Sequence, residues 1–155
     1  MARRTIGPDK LNQLRHVRML VDNDGIAALM ERHRRLLVPK FRAVRDTFAS
    51  LLGGHGAASW NDPEGGYFIT LDVMDGCAKR VVELAKAAGI ALVAAGQTFP
   101  YGFDPRDRNI RIAPSFAPVT EVAAAAEGVA LSVLVAAAEK VLSGRSIPVH
   151  QLEAS

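Results

Sequence analysis

The sequence predicts a mixed α/β (α+β) domain in which helices come first and a small sheet of about three strands follows. Three observations carry that class. Residues 24–52 repeat apolar side chains at helical spacing. "GYFITLDV" (66–73) and the stretch around "NIRIA" (109–113) alternate apolar and polar residues with period two, as a half-buried strand does. The alanine-rich run 119–142 then returns to helical spacing.

Taken in order, residues 8–20 read as a short helix that Pro8 can start, with Leu11, Leu14, Val17 and Arg18 at helical spacing. "VDNDG" breaks it, and Asp24 is placed to cap the long helix through about Leu52. The apolar stripe of that helix is Ile26, Met30, His33, Leu37, Phe41, Val44, Phe48 and Leu51, and Pro39 within it should kink the helix. "GGHG" (53–56) ends it. The strand 66–73 places Tyr67, Ile69, Leu71 and Val73 on one face. Asp75 is placed to cap a helix over 76–88 that stops at Gly89. "IALVAA" (90–95) reads as a short buried strand, 96–107 as a polar loop rich in Pro and Gly, and about 108–113 as the last strand. Gly144 ends the final helix, and "RSIPVHQLEAS" reads as a loose tail.

The 155 residues suffice for one domain with a core, and 49% apolar with 23% charged residues suits a soluble globular chain. No apolar run is read as a membrane span, and "MARRTIGPDK" lacks the apolar core of a signal peptide. Cys77 is the single cysteine, so no internal disulfide forms, in keeping with a cytoplasmic setting. Residues 1–50 hold 11 Lys/Arg against 5 Asp/Glu, while the rest hold 8 against 11. That basic third fits a solvated helix face or a surface for nucleic acid, and "RHRR" (32–35) without interleaved aromatics is a weak signal for the latter.

Chemistry is sparse. His16, His33, His55 and His150 show no metal-ligand spacing, and no second cysteine joins Cys77, so no metal site is expected. Cys77 reads as a small buried residue, since no histidine is placed to activate it. "PEGG" (63–66) precedes a strand rather than a helix and is no phosphate cradle. Three elements in series remain. Gly65 and Gly66 allow close backbone approach before an aromatic strand. The loop "AGQTFPYG" offers Phe99 and Tyr101 to a pocket rim. Arg111 sits at the centre of the last strand, where a guanidinium that cannot shed its charge demands either a wet face or an arriving anion.

In that order, "SWNDPEGGYFITLDV", "VVELAKAAGIALVAAGQTFPYG" and "DPRDRNIRIAPSF" resemble the C-terminal small domain of fold-type I aminotransferases of class I/II, the pyridoxal-phosphate enzymes of the aspartate aminotransferase superfamily. They most resemble the actinobacterial-type aspartate aminotransferases, a branch related to the aminotransferase domain of MocR-type regulators. "RTIGPDKLNQLRHVR" (4–18) resembles the segment after the cofactor lysine in that branch, and the likeness runs from about Arg4 to Leu142. The resemblance implies a small, mainly antiparallel sheet covered by helices. It divides the chain into a segment following the cofactor domain (1–20), the small domain (21–144) and the tail (145–155). It assigns Arg111 to the substrate α-carboxylate, with amino acids and 2-oxo acids as substrates and pyridoxal 5'-phosphate as cofactor.

The resemblance places the Schiff-base lysine, the partner of the pyridine nitrogen and the phosphate-binding residues in a large domain ahead of these residues. None of Lys10, Lys40, Lys79, Lys86 and Lys140 lies in the cofactor-lysine motif. No catalytic residue is therefore expected here, and the chain alone is expected to be inactive. Its expected partners are the large domain or a second copy. Two other readings stand beside this one: the effector or dimerisation part of a MocR-like regulator, and a small basic module that binds nucleic acid.

Overall fold

The computed structural model describes residues 9–144. The start at Pro8 and the tail 145–155 lie outside the described residues. Helix α1 (Lys10–Leu20) begins at Asp9, whose carboxylate accepts the Asn12 backbone N–H at 3.1 Å. Helix α2 (Asn23–Leu52) is capped by Asp22 and not, as the sequence suggests, by Asp24. The Asp22 carboxylate accepts the Gly25 N–H at 2.9 Å, which leaves Asp24 inside the first turn.

The chain divides into two compact units between Val38 and Pro39, a proline inside α2. Pro39 has no N–H for the carbonyl one turn back, so the helical ladder loses a bond there. In the first unit no described residue is buried. Of the expected stripe, Ile26 and Met30 are exposed, and only Val44 and Phe48 are fully buried, joined by Leu52 instead of Leu51.

In the second unit, three short strands form one antiparallel sheet in the order β1 (Ala58–Trp60), β2 (Ile69–Val73), β3 (Asn109–Ile112). Strand β1, "ASW", has no periodicity of its own length to reveal it. Its partner does so, through Ala58 opposite Val73 and Trp60 opposite Leu71. Strand β2 starts at Ile69, two residues later than the expected core residue Tyr67, which is exposed. Segment 90–95 is not a strand. The Ile90 N–H closes back onto the Ala85 carbonyl, and Ile90 and Leu92 pack on the core without entering the sheet.

Helix α3 (Ala78–Ala87) is not capped by Asp75, which pairs with Arg106 at 2.9 Å. Its first N–H groups go to the distant loop instead. Ala78 donates to the Asp107 carbonyl at 2.9 Å and Lys79 to the Asp107 carboxylate at 3.3 Å. Helix α4 (Val119–Gly144) buries Val122, Ala126, Val129, Ala130, Val133, Ala136 and Ala137, and Arg80 of α3 grips Glu139 with two bonds of 2.8 Å. The expectation that no segment could span a membrane needs correction on length and composition alone. An 18-residue window of α4 has mean hydropathy 1.7, and 44% of that window is buried within the fold. Cys77 is buried beside the Ala136 carbonyl, and burial pushes its thiol up, away from the reactive thiolate.

Candidate functional site

Antiparallel pairing sorts the sheet into two faces. Ile69 faces Ile112 and Leu71 faces Ile110, so with Val73, Ala58 and Trp60 they form the core face. Thr70 faces Arg111 and Asp72 faces Asn109, so with Ser59 they form a polar face. Arg111 thus stands where period two puts it, on the side away from the core.

Around it the polar groups are mostly satisfied. Asn109 donates to Asp72 at 2.8 Å and accepts from the Thr98 hydroxyl at 3.0 Å, which ties the 96–102 loop to β3 two residues before Arg111. Arg111 differs. Among the described residues it has no ion-pair partner, and its Nε, like that of Arg108, is buried without a hydrogen bond. Its guanidinium carbon lies 4.4 Å from the centroid of the Phe68 ring.

Two residues that the sequence reading missed hold the strand at either end. Before β3, the Asp104 carboxylate is only 8% exposed and accepts the backbone N–H groups of Arg106, Arg108 and Asn109 at 2.8–2.9 Å. Burial works to raise its pKa, but the N–H donors of Asn109, Arg108 and Arg106 outweigh it and hold the carboxyl below its ordinary range. "FDPRD" was legible as an Asp-Pro turn signal. After β3, Lys40 of α2 donates to the Ser115 carbonyl at 2.7 Å, a contact with no sequence signal.

A carboxyl held low stabilises the fold above its ordinary pKa and loses that contribution as pH falls through the folded value. The wild type should therefore weaken on acidification below about pH 4. Asp104→Asn leaves N–H donors without acceptors, so it should cost roughly 1–3 kcal/mol near neutrality. The gap to wild type should shrink in acid. Urea unfolding at pH 7 and pH 3 measures both, and a gap that stays constant would contradict this role.

The remaining candidates are less tightly grouped. Gly66 has φ +87° and is exposed, so it takes a left-handed turn ahead of Phe68 that a side chain would strain, while Gly65 is exposed with ordinary φ. Phe99 is half-buried, and Tyr101 is fully exposed at φ +60°. The loop between them closes because Gly96 meets the Gly102 carbonyl where a Cβ would stand. A cleft of about 710 Å³ lies elsewhere, against the core side, lined by Val44, Phe48, Ile90, Leu92, Ile112 and Phe116. Its volume draws notice, but its apolar wall offers a carboxylate nothing, and Arg111 is not part of it.

A family model described as aspartate amino-transferase matches residues 1–145. An aspartate aminotransferase of Corynebacterium glutamicum is 52% identical over 136 residues, which are 88% of this chain and 32% of that one. A relative from Mycolicibacterium smegmatis is 51% identical over 143 residues, 92% of this chain and 33% of its own length. The crystal structure of an aspartate transaminase from C. glutamicum superimposes with a TM-score of 0.83 at 51% identity, covering 88% of this chain and 32% of that chain. An α-aminoadipate aminotransferase from Thermus thermophilus, solved with N-(5'-phosphopyridoxyl)-L-leucine, shares the fold at 18% identity with a TM-score of 0.64, over 74% of this chain and 29% of that one. The chain spans about a third of the length of these relatives. It belongs to the aspartate amino-transferase family, and its antiparallel sheet, its covering helices and the polar face that carries Arg111 are built on that family's fold.

Proposed function

We propose that this chain is the C-terminal part of a pyridoxal-phosphate-dependent aminotransferase and supplies the arm that binds the substrate α-carboxylate. In this reading residues 1–20 follow the cofactor domain, 21–144 form the small domain and 145–155 the tail. The observation that carries it is Arg111, a guanidinium on the polar sheet face with no acid to neutralise it among the described residues. Its geometry suits a two-bonded fork to a carboxylate. Amino acid and 2-oxo acid both carry that group, so one arginine serves both halves of the exchange. Its contribution is orientation of the Cα–H and Cα–N bonds. Gly65, Gly66, Phe99 and Tyr101 would form the rim.

The described residues do not fit the cofactor itself. Pyridoxal phosphate needs a lysine amine for its aldehyde and an anion for its ring nitrogen. All five lysines lie on helices. Lys10, Lys79, Lys86 and Lys140 are exposed, and Lys40 is committed to the Ser115 carbonyl. Asp72 is committed to Asn109. No step through the cofactor is assigned to this chain. The nucleic-acid reading loses ground for a different reason. Arg34 and Arg35 both bind Glu31, at 2.6 and 2.9 Å, and hold its carboxyl at about 2, so the acid already offsets part of the basic cluster.

The test is a graft in which this chain replaces the matching third of the C. glutamicum relative. With pyridoxal phosphate, aspartate and 2-oxoglutarate, the graft should form glutamate and the 155-residue chain alone should not. Turnover by the chain alone, above a no-protein control and lost on changing one lysine, would overturn the reading. So would a graft that binds cofactor yet turns nothing over.

The first unit bears on partners. Leu11, Leu14, Val17, Met19, Ile26, Met30 and Leu36 are all exposed, and exposed apolar side chains grouped along helices favour association. In this reading the rest of the enzyme or a second copy covers them. Light scattering on the isolated chain at micromolar concentration should show a dimer or larger species, and a monodisperse monomer would contradict it.

A further inference from the structure

Phe68 stands immediately before β2, 43% exposed, with its ring under the Arg111 guanidinium at 4.4 Å. Across the strands, the Thr70 N–H bonds to the Asn61 side chain at 2.7 Å and the Thr70 carbonyl accepts the Asn61 N–H at 3.2 Å. Thr70 therefore turns its backbone groups away from β3. The Thr70–Arg111 pair is of the type that makes no ladder bonds, in which facing side chains come closest. The arginine stem is thus flanked by Thr70 and its head lies over Phe68. Its Nε is closed off from solvent without a partner, while Arg111 as a whole is half-buried.

We propose that Phe68 is a positioning residue. Its ring holds the guanidinium plane so that the two Nη nitrogens, and not Nε, meet the carboxylate end-on. The inference rests on the reading of Arg111 as the carboxylate fork. An arginine with no acid partner would otherwise sample many rotamers, and binding would have to freeze them. A ring already stacked on the head removes part of that cost before substrate arrives. The ring's negative face also offsets the desolvation of a cation that no anion neutralises.

The experiment compares Phe68→Tyr with Phe68→Leu in the graft. Leucine keeps apolar bulk and loses the π face, whereas tyrosine keeps the face. For Phe68→Leu we expect kcat/KM for aspartate to fall by about 3- to 30-fold, the range of a cation–π contact. The inhibition constant of propionate, which presents a carboxylate and no amine, should weaken by a similar factor. Phe68→Tyr should stay within about threefold of wild type on the same scale. Cofactor absorbance and melting temperature should be unchanged in both, which a merely structural role would not allow. Equal behaviour of the two variants would overturn the inference. If Arg111→Ala is harmless, the carboxylate reading itself fails. If Arg111→Ala is damaging and Phe68→Leu is silent, only the role of Phe68 fails. On the 155-residue chain itself, the Arg111 Nε–H resonance, assigned through Arg111→Lys, should be displaced by the ring current and lose that displacement in Phe68→Leu. A resonance at the position of a solvated arginine would also overturn it.

Discussion

Arg111→Ala in the grafted enzyme should lower kcat/KM for aspartate by about two to three decades, equivalent to roughly 3–4 kcal/mol of lost charge-assisted bonding to the carboxylate. The loss should exceed that of an ordinary surface arginine for a reason visible in the fold. On its sheet face Asp72 is paired with Asn109 and Asn109 with Thr98, and none of the three carries a cation that could replace the fork. Arg111→Lys should recover little, because an ammonium on a flexible stem cannot make two parallel bonds to a carboxylate. Cofactor absorbance should not change, since nothing in this chain is assigned to the ring. Steady-state kinetics on the three proteins decides the matter, and a kcat/KM within about threefold of wild type for Arg111→Ala rejects the carboxylate role.

Phe48→Ala should be the most destabilising single change in the core. Phe48 is 0% exposed and meets Trp60 edge-to-face, with ring centroids 5.6 Å apart and planes at 65°. It joins α2 to the short strand β1, and through β1 to β2 and β3. Removing it should cost about 3–5 kcal/mol, from lost burial plus the cavity left behind. Part of that belongs to the aromatic pair, worth about 0.5–1.5 kcal/mol beyond area. Trp60→Leu, which keeps apolar bulk on a half-buried residue, should cost less. Urea midpoints for both variants give the comparison, and a Phe48→Ala midpoint close to wild type would mean that the core closes without this contact. Because β3 is held through β2, the same variant should weaken carboxylate binding only once the fold itself begins to open.

Much of the candidate site is legible in the residues alone. Alternation in "NIRIA" puts Arg111 on the face opposite Ile110 and Ile112, and the pairing agrees. Helical spacing marks α1, α2, α3 and α4, and the last three end at or near glycines. The motif "GGYF" points to Gly65 and Gly66, but the residue that touches Arg111 is Phe68 of the same motif. Alternation alone places Tyr67 in the core and leaves Phe68 unremarked. Which aromatic ring an arginine meets depends on where β2 begins, and it begins at Ile69, three residues later than the alternation suggests.

By itself the sequence determined the α/β class, the helices, strands β2 and β3, and the polar face of Arg111. Each is a property of local periodicity, imposed by a backbone that repeats every 3.6 or every 2 residues. Tertiary structure alone decided that "ASW" is a strand, that 90–95 is not, and that Asp107 rather than Asp75 caps α3. It also decided that Asp104 and Lys40 brace the two ends of the segment carrying Arg111. A three-residue strand exists only because β2 offers it a ladder, and "IALVAA" carries a strand's side chains but stays outside the sheet, its Ile90 N–H turned back onto the Ala85 carbonyl. A carboxylate caps whichever N–H groups the folded chain brings to it, and that choice is made by partners 28 residues away rather than three.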